Sequence, residues 1–266
     1  MNTPVAAIDK VWQQIREETA EEVQREPVLA SFYHASILNH GSFARALSFQ
    51  IASKLGCDSV PAMLIRDVAA EVYVADPEVL ASAVADICAH YDRDPACDNY
   101  GMPFLYFKGF QAIQGQRIAH WLWRQGRESL ALFLQNRIAT VFDVDIHPAA
   151  RIGAGIMVDH ATGVVIGETA VIGNNVSMLH SVTLGGCGSG RGPRHPQIDD
   201  GVLIAAGAKV LGNIRIGEGA KIAAGSVVLN AVAPHTTVAG VPARPVGTTS
   251  KDIPALNMDQ QINGDG

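Results

Sequence analysis

Between residues 146 and 228 the apolar side chains keep a step of six. Ile146, Ile152 and Val158 form one series, and Ile166, Ile172, Met178 and Leu184 a second. Ile198, Ile204, Val210, Ile216, Ile222 and Val228 form a third. A fixed short period is met by stacking short turns of chain, each burying its apolar row against the next. Six residues per step, with small residues between β-branched ones, fit one face of a parallel β-helix whose turns hold three hexapeptides.

The period breaks twice. Val158 to Ile166 spans eight residues and Leu184 to Ile198 spans fourteen. The surplus residues must leave the coil as a bulge and a loop. His160 stands in the first break and His195 at the end of the second. Imidazoles in the two irregular places of a monotonous scaffold point to chemistry rather than packing.

Upstream the pattern is helical. Ile8, Val11, Trp12 and Ile15 share one helix face. Phe43, Leu47, Ile51 and Leu55 step by four, and Gly56 is a stop. Asp76-Pro77-Glu78 reads as a helix start, and Arg93-Asp94-Pro95-Ala96 as a loop. Further helices are expected over 104–124 and 128–141. Trp12, Trp121 and Trp123 read as packing residues, as do His34, His40, His90 and His120, which sit in helical patterns with no partner motif. The expected fold is therefore α+β: a helical domain over 1–142, a β-helix over 143–246, and a mobile polar tail over 247–266.

Composition narrows the function. A formal charge of −6 gives no support for nucleic-acid binding. No apolar run reaches membrane-spanning length, and charges interrupt the N-terminal residues, so no signal peptide is read. The four cysteines are widely spaced without a CxxC pair, which fits reduced thiols and a cytoplasmic location. No Walker-type or Rossmann glycine pattern accompanies a strand-to-helix switch.

Several runs carry a resemblance. They are Asp-Ile-His-Pro-Ala-Ala at 145–150, Asp-His-Ala-Thr-Gly at 159–163, Gly167-Glu168-Thr169, and Ser-Val-Thr-Leu-Gly-Gly at 181–186. Arg194-His195-Pro196 and Ala239-Gly240-Val241-Pro242-Ala243-Arg244 complete the set. Across nearly its whole length the chain resembles the serine O-acetyltransferases of the hexapeptide-repeat acyltransferase superfamily. The resemblance implies a left-handed coil, trimers or paired trimers, and acetyl-CoA lying between adjacent prisms. It implies transfer of acetyl from acetyl-CoA to the L-serine hydroxyl, the first step of cysteine biosynthesis from serine, with feedback inhibition by L-cysteine. No metal is implied.

A serine hydroxyl is a poor nucleophile near neutrality and needs a base. His160 is the candidate, with Asp145 as the carboxylate that orients it. Asp145 precedes His160 by fifteen residues, close to one coil, so the two are expected side by side on adjacent rungs. For free serine, Arg194 offers a fork suited to a carboxylate and His195 a second donor, while Asp94 and Asp159 suit the ammonium. The resemblance places all four in the substrate pocket. Ala206-Gly207 and Ala224-Gly225 lie eighteen residues apart and should stack, exposing backbone for an extended pantetheine. Gly186 belongs to the same candidate set, and Lys221 and Arg244 are candidate phosphate partners.

Two rival chemistries share the scaffold. A γ-type carbonic anhydrase needs two histidines close in sequence, whereas His147, His160, His180 and His195 are spaced by thirteen, twenty and fifteen. A sugar O-acetyltransferase usually lacks the helical half and both histidine motifs. Family members that dock into O-acetylserine sulfhydrylase usually end in isoleucine. This chain ends in Gly266, so weak or absent docking is expected.

Overall fold

The computed structural model describes residues 4–188, 190–249 and 253–261. The helical half comprises α1 (Pro4–Arg25), a 3-10 turn at Pro27–Leu29, and α2 (Ala30–Tyr33), which runs into a π-helical stretch at His34–Leu38. It continues with α3 (Phe43–Leu55), α4 (Ala62–Ala75), α5 (Glu78–Arg93), α6 (Gly101–Tyr106), α7 (Lys108–Arg124) and α8 (Glu128–Phe142). Ser42 starts α3 by accepting a hydrogen bond from the Arg45 amide. Gly56 caps the end of α3, and its backbone lies so close to Ala62 that a Cβ would sit 2.9 Å from that residue, which requires a glycine there. The helix expected over 104–124 is two helices, because Phe107 is extended and breaks the run between α6 and α7.

Asp143 closes α8 in the left-handed conformation, φ 57°, which aspartate tolerates better than most residues. Its carbonyl accepts from the Gly163 amide, so the turn out of the last helix is fixed by the coil above it.

The coil then climbs turn by turn. Its first turn holds β1 (Val144–Ile146), β2 (Arg151–Ile152) and β3 (Met157–Val158). The second holds β4 (Val164–Ile166), β5 (Val171–Ile172) and β6 (Ser177–Met178), and the third β7 (Thr183–Gly185), β8 (Gln197–Ile198) and β9 (Leu203–Ile204). The fourth holds β10 (Lys209–Leu211), β11 (Arg215–Ile216) and β12 (Lys221–Ile222). The fifth holds β13 (Val227–Val228) and β14 (Thr236–Gly240), against which β15 (Ala243–Thr248) folds back antiparallel. Three parallel faces result: β1-β4-β7-β10-β13, β2-β5-β8-β11, and β3-β6-β9-β12-β14. The six-residue series lines the interior, with Ile166, Met178, Leu184, Ile204, Val210, Ile216 and Ile222 all buried.

The register corrects one expectation. Asp145 pairs with Val165, so the first turn is twenty residues long rather than the eighteen of three hexapeptides, and a spacing of fifteen falls well short of it. Val165 pairs with Thr183 and Lys209 with Val227, the regular eighteen. Asp145 therefore does not lie one rung below His160; the rung partner of His160 is His180, since Val158 pairs with Met178.

Helices α5 and α7 are bolted to the lower coil by buried polar side chains. Arg117 donates to the Ile152 and Gly153 carbonyls and pairs with Asp86 at 2.7 Å. Asp86 also accepts from Gln114 and from the Ile156 amide. Arg93 donates to the Gly155 carbonyl, Ser177 and Asn175. These bonds leave few buried donors unmet and fix the end of α5, where Asp94 follows.

The tail is not free over its described part. Helix α9 (Pro254–Asn257) buries Pro254 and Ala255, and the Ser177 hydroxyl donates to the Ala255 carbonyl. Lys221, one of the candidate phosphate partners, is only 7 % exposed. Its ammonium donates to the carbonyls of Asp259 and Gln261. The tail thus occupies the cation that was expected to face coenzyme A.

Candidate active site

The candidate residues gather at two edges of the prism, on either side of the β1-β4-β7-β10-β13 face. The first edge follows β3, β6, β9 and β12. Here the two surplus residues of the first break form a tight bulge. His160 and Ala161 are consecutive left-handed residues, φ 57° and 60°. The Ala161 amide bonds back to the Asp159 carbonyl at 2.6 Å, and Thr162 to that of His160 at 2.8 Å. Such backbone costs on the order of 1–3 kcal/mol per residue and persists only where the surroundings enforce it. Its effect is to throw the His160 side chain outward, 72 % exposed.

Asp159 and His180 stand beside His160, and Asp94 lies within reach of the Asp159 charge. Asp159 Oδ2 is 3.6 Å from His160 Nε2. The ring of His180 meets that of His160 edge-on, with centroids 5.9 Å apart. Burial pushes the Asp159 carboxyl above its usual range, and the charge of Asp94 adds to the push, against the attraction of His160. Asp94 is held by its own loop: its carboxylate accepts from the Ala96 amide at 2.9 Å. Lys108, at the start of α7, donates to Thr162 in the bulge.

Above this cluster the edge is a ladder of small residues. The Gly207 amide donates to the His180 carbonyl and the Gly225 amide to the Ala206 carbonyl. Gly207 and Gly225 are left-handed, φ 72° and 67°, and a side chain at Gly225 would meet nothing within 4 Å. The β14–β15 hairpin ends the ladder, with the Gly240 amide on Ser226 and Arg244 exposed opposite Ala239. Ala206, Gly207, Ala224, Gly225 and Arg244 are thus on one track that starts at His160.

The second edge follows β1, β4 and β7 and carries the long loop. Arg194 pairs with Glu168 at 2.5 Å. That hydrogen bond holds the Glu168 carboxyl below its ordinary value. His195 is 7 % exposed and packs its ring over Gly167 and Gly186. A Cβ at Gly186 would stand 2.9 Å from His195 Nε2, and one at Gly167 would collide with the ring outright. Burial, reinforced by the Arg194 charge, pushes the His195 imidazole below its usual pKa, so it is neutral near pH 7. Thr169 binds both residues of the Arg194-His195 pair.

Within one chain Asp145 does not stand beside His160 as expected. Its Oδ1 accepts from Gln135 at 2.7 Å, and its charge acts on His147, on the Arg194 side of the face. One chain therefore unites Asp94, Asp159 and His160 at one edge and places Arg194 and His195 at the next. Sequence reasoning gave no role to Glu168, Thr169 or His180. The signal for His180 was its twenty-residue offset from His160, which becomes meaningful once the first turn is known to be twenty long. Among the described residues no group of three His, Cys, Asp or Glu side chains is placed to hold a metal ion. No described helix is long and apolar enough to cross a membrane.

Known proteins give a consistent picture. Residues 11–115 match the family described as serine acetyltransferase, N-terminal, and residues 195–230 match the bacterial transferase hexapeptide repeat. The serine acetyltransferase of Escherichia coli K12 is 58 % identical over 257 residues, 97 % of this chain and 94 % of that protein. The crystal structure of serine acetyltransferase from Vibrio cholerae superposes with a TM-score of 0.95 at 59 % identity, covering 96 % of this chain and 99 % of that one. A serine acetyltransferase in complex with cysteine superposes with a TM-score of 0.93 at 53 % identity, covering 95 % and 98 %.

Proposed function

Since the chain belongs to the serine acetyltransferase family and is an acetyl-CoA-dependent acyltransferase, we propose that its site is assembled from two chains, the His160 edge of one facing the Arg194 edge of the next. The observation that carries this reading is the division of the candidate residues between the two edges of one face. A free amino acid needs its ammonium, carboxylate and hydroxyl met together, and neither edge does this alone. A cyclic trimer presents one edge of each prism to the other edge of its neighbour three times over.

In this assembly Asp94 and Asp159 take the serine ammonium, and Arg194 with His195 takes the carboxylate. His160 removes the hydroxyl proton as Oγ attacks the thioester carbonyl. The C–O bond forms, the tetrahedral intermediate collapses, and the C–S bond breaks. The imidazolium returns its proton to the departing CoA thiolate. Asp145, on the face beside the Arg194 edge, orients His160 of the adjoining chain after exchanging its bond to Gln135. Coenzyme A follows the Ala206-Gly207 and Ala224-Gly225 ladder toward Arg244, with Gly186 at the facing edge. Lys221 has no part in this while the tail covers it.

The reading extends to assembly and place. Pairing of trimers through the helical halves gives α1–α8 a task, and the four unpaired cysteines fit a reducing cytoplasm. Docking to O-acetylserine sulfhydrylase turns on residues 262–266, which lie outside the described residues.

Subunit mixing tests the composite site. His160→Ala and Arg194→Ala chains, each nearly inactive, should regain activity when unfolded and refolded together. Random pairing in a cyclic trimer restores roughly a quarter of wild-type turnover. Recovery no greater than the sum of the separate variants would place each site within one chain.

L-cysteine presents the same ammonium and carboxylate as L-serine. Arg194→Ala should therefore weaken serine and cysteine together, by roughly 10- to 100-fold each, the range for a lost charge-assisted bidentate contact. Competition kinetics on the variant reads both constants; loss of one alone would deny a shared pocket.

A further inference from the structure

Thr169 sits between the two residues assigned to the serine carboxylate. Its hydroxyl oxygen accepts from the Arg194 amide at 3.0 Å and from the His195 amide at 3.1 Å. A hydroxyl has two acceptor lone pairs and one proton. With both lone pairs taken, only the proton is left for the third neighbour, His195 Nδ1, at 2.8 Å. The Thr169 backbone amide donates to that same nitrogen at 3.2 Å. Two groups that can only donate face Nδ1, so Nδ1 carries no hydrogen. In the neutral ring the proton must then be on Nε2. Gln197 braces the arrangement by donating to the carbonyls of Thr169 and His195. The charged and titratable groups around the ring are Arg194, Glu168 and His147.

We propose that Thr169 is a positioning residue that fixes His195 as a pure hydrogen-bond donor at Nε2, and that this lets the site select a carboxylate over a carboxamide. The proposal rests on the assignment of Arg194 and His195 to the serine carboxylate. A ring free to exchange tautomers offers either a donor or an acceptor, and so accommodates an amide N–H as readily as a carboxylate oxygen. A ring locked as donor leaves the amide's N–H facing another N–H. The same hydroxyl ties down the backbone of both binding residues, so it sets where the Arg194 fork begins.

The lock is visible before any substrate is added. Ring 15N spectra of the unliganded wild-type protein, assigned by comparison with His195→Gln, should show His195 with a bare Nδ1 and a protonated Nε2. Thr169→Val keeps the side-chain shape and removes the hydroxyl. Its His195 signals should move toward a tautomer mixture, and its KM for L-serine should rise roughly tenfold, the loss of about one net hydrogen bond, with kcat changed much less. The ratio of kcat/KM for L-serine to that for L-serinamide should fall by a similar factor. Thr169→Ser should restore the wild-type spectrum and most of the ratio. A wild-type Nδ1–H tautomer overturns the proposal, with no need for the valine variant to fold. So does a folded Thr169→Val protein with the wild-type substrate ratio. An unchanged serine KM in Arg194→Ala would instead remove the carboxylate assignment while leaving the measured tautomer as it is.

Discussion

Replacing His160 with alanine should lower kcat by roughly 10²–10⁴-fold, the usual contribution of a positioned general base, and leave the thermal midpoint almost unchanged. The two halves of this expectation have separate grounds. His160 is largely exposed and outside the buried six-residue series, so no contact of the apolar core is lost, only its edge-on meeting with His180. Its left-handed backbone is already shared by its neighbour Ala161, so alanine enters a conformation the bulge holds at the next position. The chemistry has no such reserve. Asp159 is the carboxylate within ion-pair distance, and burial raises its pKa, but an ordinary carboxylate is a far weaker base than imidazole. Acetyl transfer followed by thiol release, alongside a melting curve, reads both quantities. Turnover at the wild-type level would take His160 out of the mechanism. Asp145→Asn should cost less than His160→Ala because it orients the proton acceptor without carrying the proton.

The coil and its irregularities were readable because each apolar series is a local, periodic signal. Every member of the third series from Ile198 to Val228 is buried where the step of six puts it. The breaks told where chain leaves the coil, and His160 and His195 stand at those places. What could not be read was the vertical register. It depends on which turn absorbs the extra residues, and a bulge within the first turn lengthens that turn alone. Asp145 was displaced from His160 for this reason. That the tail covers Lys221 could not be read for another reason. Exposure of a face residue depends on what crosses it, and the crossing segment, Ile253 to Gln261, is more than thirty residues away in sequence. Thr169 escaped notice because its importance lies in hydrogen bonds to residues 25 and 26 positions away. No spacing rule covers a contact across a loop of variable length.

The largest effect on stability should come from Asp86, which touches no substrate. Asp86 and Arg117 are 1 % and 8 % exposed and pair at 2.7 Å. Replacing a buried, well-packed ion pair as a unit is often neutral, whereas removing one partner leaves a charge in a medium that cannot solvate it, at about 3–5 kcal/mol. Asp86→Ala does the second. It also strips an acceptor from Gln114 and from the Ile156 amide, two buried donors. At about 2–4 °C per kcal/mol for a chain of this size, the thermal midpoint should fall by roughly 10 °C or more. Asp86→Asn keeps an oxygen for the amide of Ile156 and should lose less. The pair links α5 to the first turn of the coil, and Asp94 directly follows α5. Loosening the bolt should therefore also raise the KM for serine, although Asp86 lies outside the pocket. Exchanging both residues for apolar ones of like size, Asp86→Leu with Arg117→Met, separates the contributions. It should recover part of the stability, since no lone charge remains, but not the serine affinity if the pair sets the position of α5. A melting midpoint for Asp86→Ala within a degree or two of wild type would mean that Arg117 is satisfied by the Ile152 and Gly153 carbonyls alone, and that the helical half is held to the coil elsewhere.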